Sequence, residues 1–201
     1  MSINTQRERL LKLFESESFL RARTIADTGI DPKTVQRMVE KGELARIGRG
    51  LYTLPSVDPS THYTLAQAHH LVELGVVCLL SALTFHEIGT QSPRSVWMAV
   101  PRTSRVPNVS GNPIKIIKFS GAAYTEGIAD YEIDGVTVPV YNIPKTVADC
   151  FKYRNKLGID IAIEALRDVV RYRRSTNDEL LKYAEVCRVR NVMIPYLESI
   201  V

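Results

Sequence analysis

The feature that most constrains this chain is a change of hydrophobic period at Gly42. Before Gly42, apolar residues recur every three to four positions, which is the spacing of helices that bury one face. After it, residues 44–47 and 51–54 form two short runs with the period of a β-strand. Gly48 and Gly50 separate the runs and suit a tight hairpin turn, because glycine readily adopts the positive φ angles that such a turn needs. The sequence therefore predicts helices followed by a two-stranded hairpin.

Three helices are predicted before the hairpin, at about residues 5–14, 20–28 and 32–41. Asp31 and Pro32 mark the start of the third helix, since Asp is a favoured N-cap and Pro is a favoured first helical residue. A short turn joins the second helix to the third, as in helix-turn-helix motifs. Three helices followed by a hairpin is the element order of a winged helix-turn-helix domain.

The third predicted helix carries polar residues that suit DNA recognition. A helix of about ten residues fits the major groove, and its N-terminal turns usually reach base edges. Gln36 can pair with adenine and Arg37 with guanine, each through two hydrogen bonds. Basic side chains on the second helix and on the hairpin suit contacts with the phosphate backbone or the minor groove. The predicted DNA-contacting residues are Arg21, Arg23, Lys33, Thr34, Gln36, Arg37, Lys41, Arg46 and Arg49.

The charge of the chain is unevenly distributed. The formal net charge is +4, and residues 1–55 hold ten Lys and Arg against seven Asp and Glu. Most of the positive excess therefore lies in the first quarter of the chain, which favours an anionic partner for that region. Two alternatives stay open, namely a charged face that is only solvated and a winged helix that serves as a protein-interaction module.

A domain boundary is predicted near Pro55 and Pro59, which gives domains at residues 1–55 and 56–201. Strands of the second domain are predicted at residues 95–100, 114–119, 130–133 and 136–141, and helices at residues 63–74, 144–153, 160–172 and 177–186, followed by a short tail. The predicted fold class is α+β, with an N-terminal winged helix-turn-helix domain followed by a mixed α/β C-terminal domain.

Motifs for catalysis are sparse. Glycine-rich nucleotide-binding patterns and the GxSxG hydrolase pattern do not occur, and the four histidines lack the spacing of a metal site. Asp130 and Glu132 alternate on a predicted strand downstream of Lys115 and Lys118, which faintly resembles a metal-dependent nuclease. Alternating acids on an exposed hairpin face are the commoner explanation. We therefore expect no enzymatic activity, no cofactor and no metal site.

Two further basic clusters lie in the second domain. They consist of Arg102, Arg105, Lys115 and Lys118, and of Arg171, Arg173 and Arg174. Either cluster could extend a DNA footprint or dock an acidic partner, and either could be a solvated surface.

The composition favours the cytoplasm. No run of residues approaches the 18 apolar positions of a membrane-spanning helix. The three cysteines, Cys78, Cys150 and Cys187, are far apart and form no CxxC pair, which fits a reducing compartment better than a disulfide framework.

Six segments of the chain resemble AbiEi-type antitoxins. They are TIADTGID at residues 24–31, VEKGELARIGRGLYTLP at 39–55, LSALTFHEIG at 80–89, PRSVWMAV at 93–100, IPKTVADCFKYR at 143–154 and EAL at 164–166. The resemblance extends over nearly the whole chain, and its most specific part is the GELARIGRGLY pattern of the hairpin together with LSALTFHEIG.

The resemblance implies an antitoxin of a type IV toxin–antitoxin system associated with defence against phage. It implies that the winged helix binds repeats in the promoter of its own operon, represses transcription, and uses Arg46 and Arg49 as DNA contacts. It further implies that the C-terminal domain counters a nucleotidyltransferase-like toxin without forming a stable complex. The alternatives are a stand-alone regulator whose C-terminal domain senses a ligand or dimerises, and an enzyme that acts on nucleic acid.

Overall fold

The computed structural model describes residues 3–48, 50–55, 62–106, 108–109 and 112–200. These residues form two compact units. The first comprises the described residues within Met1–Leu71 together with Glu132–Thr137, and the second comprises those within Val72–Tyr131 and Val138–Val201. The predicted boundary after residue 55 lies inside the first of these units, which also contains the helix that follows.

The first unit contains the predicted helices and hairpin, and one further strand. Its elements are α1 (Ile3–Leu13), β1 (Leu20–Arg21), α2 (Ala22–Asp27), α3 (Pro32–Glu40), β2 (Ala45–Gly48), β3 (Leu51–Thr53) and α4 (Tyr63–Leu71). The three strands form an antiparallel sheet in the order β1-β3-β2. The hairpin of β2 and β3 has a register irregularity between Arg46 and Gly48.

The beginning of the second predicted helix is wrong. Leu20 and Arg21 form a strand, in which they pair with Tyr52 and Leu51 of β3, and the helix begins at Ala22. The backbone N–H of Ala22 also donates to the Gly50 carbonyl over 2.7 Å. These hydrogen-bond partners lie about thirty residues further along the chain, so the local helical period could not reveal them.

The start of α3 follows the prediction. The Asp31 carboxylate accepts a hydrogen bond from the backbone N–H of Lys33 at 2.8 Å, and Pro32 is the first helical residue. One face of the helix contributes to a core that spans α1, α2 and α3. This core contains Leu10, Phe14, Leu20, Ile25, Ile30, Val35, Met38 and Leu44. Complete burial of such side chains contributes roughly 1.5–3 kcal/mol each, so the core holds α3 firmly by its inner face.

The remaining elements build a mixed sheet covered by helices. They are β4 (Val76–Val77), α5 (Leu79–Phe85), β5 (Val96–Pro101), β6 (Ile114–Phe119), α6 (Ala122–Thr125), β7 (Ile128–Ile133), β8 (Val136–Tyr141), α7 (Ile143–Lys152), α8 (Arg154–Leu157), α9 (Ile159–Arg171), α10 (Asn177–Val186) and α11 (Arg190–Ile200). The sheet order is β6-β5-β4-β8-β7. Strand β5 pairs in parallel with β6 and antiparallel with β4, while β4 pairs in parallel with β8. The α+β fold class is confirmed.

The predicted tail after α10 is wrong, because Arg190–Ile200 forms α11 with Pro195 inside it. Met193 and Leu197 lie one helical turn apart and are both buried in the core of the second unit. This burial stabilises a helix that a proline would otherwise interrupt.

The core of the second unit encloses an ion pair. The Lys145 ammonium lies 2.5 Å from an Asp149 carboxylate oxygen, and both side chains are fully buried. The Cys187 thiol donates to the other Asp149 oxygen at 3.1 Å, and the Lys145 ammonium lies 4.1 Å from the centre of the Tyr141 ring. Burial raises the pKa of Asp149 above its ordinary value, and the neighbouring Lys145 ammonium offsets only part of this rise.

Candidate nucleic-acid interface

The outer face of α3 is polar and exposed. Lys33, Gln36 and Arg37 lie on this face, and Lys41 follows at the C-cap, whereas Val35 and Met38 are buried on the opposite side. The four residues were predicted as DNA contacts, and the helix places them on one continuous surface. A helix of nine residues is about 14 Å long, and its side chains can reach several successive base pairs of a major groove.

Thr34 does not belong to this surface. It is only 4% exposed, and its hydroxyl donates to the Gln6 side-chain oxygen of α1 at 2.9 Å. The same Gln6 oxygen accepts a hydrogen bond from the Asp31 backbone N–H at 3.2 Å. Thr34 therefore connects the start of α3 to α1, and its side chain is not part of the exposed face of the helix.

Two further contacts hold the helices around α3. The Arg7 guanidinium on α1 lies 2.6 Å from the Glu43 carboxylate just after α3, and the Arg9 guanidinium donates to the Thr28 carbonyl at the end of α2 at 2.8 Å. These residues, like Gln6, were not predicted as functional. Their partners lie 19 to 36 residues away in the sequence, so no local pattern indicates them.

The two arginines near the start of α2 have different surroundings. Arg21 is half-buried, and its guanidinium donates to the His70 carbonyl of α4. Arg23 is exposed on the first turn of α2. Only Arg23 therefore has the exposure expected of a phosphate contact, while Arg21 joins the strand β1 to α4 within the first unit.

The structure describes one of the two arginines that were predicted as DNA contacts on the hairpin. Arg46 is exposed on β2, and its Nε–H donates to the Gly48 carbonyl at 3.2 Å, which keeps the side chain beside the turn. Arg49 lies outside the residues that the structure describes.

Helix α4 packs against the strands of the first unit. The Gln67 amide donates to the Ile47 carbonyl of β2 at 3.2 Å, and the Phe19 ring lies 5.0 Å from the Tyr63 ring. The His70 ring lies 5.3 Å from the Phe19 ring. Burial, with further contributions from the charges of Arg21 and His69, lowers the pKa of His70 to about 4. His70 is therefore neutral at physiological pH.

An acidic residue that was not predicted lies on the α3 surface. The Gln36 side-chain amide donates to the Glu40 carboxylate at 3.0 Å, and both residues are exposed. The sequence contained a signal for this pair, because residues four positions apart in a helix are neighbours on its surface.

In the first basic cluster of the second unit, the pairing of β5 with β6 brings some of the residues together. The Lys118 ammonium donates to the Arg102 carbonyl at 3.4 Å, and the Lys115 ammonium lies 3.9 Å from the centre of the Trp97 ring. Arg105 is exposed in the loop after β5.

The arginines of the second basic cluster make different contacts. The Arg174 guanidinium donates to the His86 and Glu87 carbonyls at 2.5 and 3.2 Å, so it anchors the turn after α5. The Arg171 guanidinium lies 5.6 Å from the centre of the exposed Tyr172 ring, and Arg173 is exposed. All three arginines are exposed, and Arg174 differs from the other two in that its guanidinium also anchors the turn after α5.

Asp130 and Glu132, the residues of the nuclease alternative, are exposed on the edge strand β7. Among the described residues, no three or more His, Cys, Asp or Glu side chains are grouped closely enough to hold a metal ion. In the same part of the chain, no helix has the length and apolar character that would let it cross a membrane.

The N-terminal region thus combines a short helix with exposed cationic and amide side chains, an inner core that holds this helix, and an antiparallel hairpin after it. Residues 8–55 match the model of the family described as "Transcriptional regulator, AbiEi antitoxin". The resemblance to AbiEi antitoxins is thereby confirmed over these residues, which include α2, α3 and the hairpin.

The solved structures similar to this chain include one that aligns over nearly its whole length. It is the crystal structure of the RV2827C protein from Mycobacterium tuberculosis, with a TM-score of 0.68 and 14% sequence identity. The alignment covers 97% of this chain and 77% of the other. At this identity the likeness concerns the fold alone. The comparison with curated proteins finds no match.

Proposed function

We propose that this protein is a DNA-binding transcriptional autorepressor and the antitoxin of a type IV, AbiE-like toxin–antitoxin system. It binds double-stranded promoter DNA, most simply repeats in its own operon, and opposes a nucleotidyltransferase-like toxin without a stable complex. It works in the cytoplasm, in defence against phage, and has no catalytic role. The observation that carries the proposal is the exposed face of α3 within the segment that matches the regulator family.

The geometry supports a winged-helix mode of DNA binding. Helix α3 presents Gln36 and Arg37 near its middle and Lys33 near its N-terminus. In this mode Arg37 reads guanine and Gln36 reads adenine, because each can make two hydrogen bonds to the base edge. Lys33, Lys41 and Arg23 contact phosphates and set the position of the helix on the duplex.

The contacts that hold α3 in place also support the winged-helix mode of DNA binding. Gln6 and Asp31 hold its N-terminal turn, and the inner face is fixed by Val35 and Met38 in the core. A helix that reads bases must hold its side chains in one geometry, since loss of a single good base contact costs about 1–3 kcal/mol of discrimination.

The antitoxin part of the proposal is supported by the family match and by the second unit. The matched family combines regulation with antitoxin activity in its description. The second unit has its own core and exposed cations, including Lys115, Lys118 and Arg173, that can meet an acidic surface of a partner.

The first experiment is a salt titration of binding to the protein's own promoter DNA and to unrelated DNA of equal length. We expect tighter binding to the promoter and a steep loss of affinity with salt, because phosphate contacts release counterions. Arg37→Ala should weaken promoter binding by about 1–3 kcal/mol and relax the preference at one base pair. Lys182→Ala, which removes an exposed cation from α10, is the matched control and should bind as the unchanged protein does.

Equal and weak binding to both DNAs would contradict the repressor role. The antitoxin role is tested separately by co-expression with a nucleotidyltransferase-like protein encoded beside this gene. Restored growth supports an antitoxin. Promoter binding without restored growth would leave a stand-alone regulator, whose C-terminal domain then senses a ligand or dimerises.

A further inference from the structure

Glu40 interrupts an otherwise cationic and amide surface. It is the only acidic residue of α3 and lies at the helix end, exposed and on the same side as Gln36 and Arg37. Its carboxylate oxygen accepts a hydrogen bond from the Gln36 amide at 3.0 Å. If α3 enters the major groove, this negative charge enters with it, close to the negative phosphates.

Helix stability does not account for this residue. The C-terminal end of a helix carries a partial negative charge, so a carboxylate in the last turn is unfavourable. Lys33 is a cation in the first turn of α3, where the partial positive charge of the helix dipole makes a cation unfavourable as well. The hydrogen bond between Gln36 and Glu40 is exposed, and pairs of this spacing stabilise a helix only weakly. Both charged residues are therefore better explained by what the surface binds.

The chemistry of a carboxylate restricts what Glu40 can meet in the groove. An ionised carboxylate only accepts hydrogen bonds. It suits the amino groups of cytosine and adenine and repels the acceptors of guanine and of the phosphates. The bond to Glu40 uses one N–H of Gln36 and fixes the plane of its amide. The bond therefore favours the orientation of Gln36 in which this N–H faces Glu40 and the other N–H and the amide oxygen stay free to meet a base.

We propose that Glu40 is a specificity-determining residue of the α3 surface. It orients the Gln36 amide, favours an amino-bearing base at the position it faces, and weakens binding to DNA of other sequences. This inference rests on the proposed function, because it assumes that α3 reads DNA. The Glu40 carboxylate adds a repulsive contribution to specificity, because it disfavours sequences that place only hydrogen-bond acceptors opposite it.

The test is Glu40→Gln in the full-length protein. Glutamine keeps an oxygen that can accept from Gln36 but removes the charge. We select binders from a pool of random-sequence duplexes with the unchanged protein and with the variant, and compare the base preferences at each position. We expect the variant to lose an adenine or cytosine preference at one base pair, with discrimination there falling roughly 5- to 150-fold. Binding to unrelated DNA should tighten about fivefold at low salt.

Glu198→Gln is the matched control, since it removes an exposed carboxylate from α11 and changes the net charge equally. If both variants tighten binding equally and leave the base preferences unchanged, the effect is one of net charge and the inference is overturned. Thermal unfolding should show Glu40→Gln to be at least as stable as the unchanged protein, so altered selection would not reflect misfolding.

Arg37→Ala separates this inference from the proposed function. If Arg37→Ala weakens selection while Glu40→Gln leaves the base preferences intact, α3 reads DNA and only the role of Glu40 fails. If neither variant affects binding, the assignment of α3 as the reading helix fails as well.

Discussion

At the scale of single residues, the ion pair of Lys145 and Asp149 should be costly to disturb. Each charge is fully buried and is balanced by the other. A buried charge that loses its partner keeps its desolvation cost without the attraction that offset it. Both residues lie on α7, one helical turn apart, so the pair forms within a single element and the core closes around it.

We expect Lys145→Met to lower the free energy of unfolding by about 3–5 kcal/mol, because it leaves Asp149 unpaired in the core. Urea unfolding of the full chain measures this. The double variant Lys145→Met/Asp149→Leu removes both charges and should recover much of the loss. Equal stability of the single variant and the unchanged protein would contradict this expectation.

Residue roles on α3 were only partly predictable. The amphipathic pattern correctly separated Val35 and Met38 from Gln36 and Arg37. It did not separate Thr34 from Lys33, because a threonine near the helix start is compatible with either exposure or burial. The decision comes from Gln6, a residue of α1 whose oxygen bonds the Thr34 hydroxyl. Similarly, an amphipathic pattern gives no reason to place a lysine such as Lys145 in a core.

At the scale of elements, the start of α3 depends on one cap. The Asp31 carboxylate satisfies a backbone N–H that has no partner within the helix. Asp31→Ala should therefore destabilise the protein by about 1 kcal/mol, while Asp31→Asn, which keeps a side-chain acceptor, should cost less. Thermal unfolding of the two variants checks this. An Ala variant as stable as the Asn variant would mean that the Gln6 bonds alone fix the helix start.

Elements were predictable where their signals are local. The period change at Gly42 and the Asp31–Pro32 start marked the helices and the hairpin. Strand β1 was missed because its partner β3 is distant in sequence, and α11 was missed because Pro195 argues against a helix until burial of Met193 and Leu197 is known.

At the scale of the whole molecule, stability should depend on the protonation of His70. The pKa of its imidazole is lowered from 6.5 to about 4, first by burial and then by the charges of Arg21 and His69. Between these two values the unfolded chain binds more protons than the folded one. The contribution to stability is therefore complete above pH 6.5 and is lost as the pH falls towards 4.

We expect this loss to be about 1–2 kcal/mol, less than the full shift implies, because the ring is partly exposed and its charge is screened. Urea unfolding at a series of pH values measures it. His70→Gln removes the titrating group and should flatten the curve between pH 4 and 6.5. An unchanged curve in the variant would assign the pH dependence to other groups.

The three thiols should be inert in the folded protein. Cys78, Cys150 and Cys187 are buried, and burial raises the pKa of each thiol. Since the thiolate is the reactive form, a thiol reagent should modify the folded chain slowly and all three cysteines rapidly after unfolding in urea. Rapid modification of a folded sample would show that the core of the second unit opens.

The position of Trp97, the ring on which Lys115 lies, makes unfolding of the second unit measurable by fluorescence. Trp97 is the one tryptophan of the chain and is buried on β5, so intrinsic tryptophan fluorescence comes from the second unit alone. An emission change on adding urea reports the melting of that unit, while far-ultraviolet circular dichroism follows the helices of both. A comparison of the two signals shows whether the units unfold together, without attaching any dye.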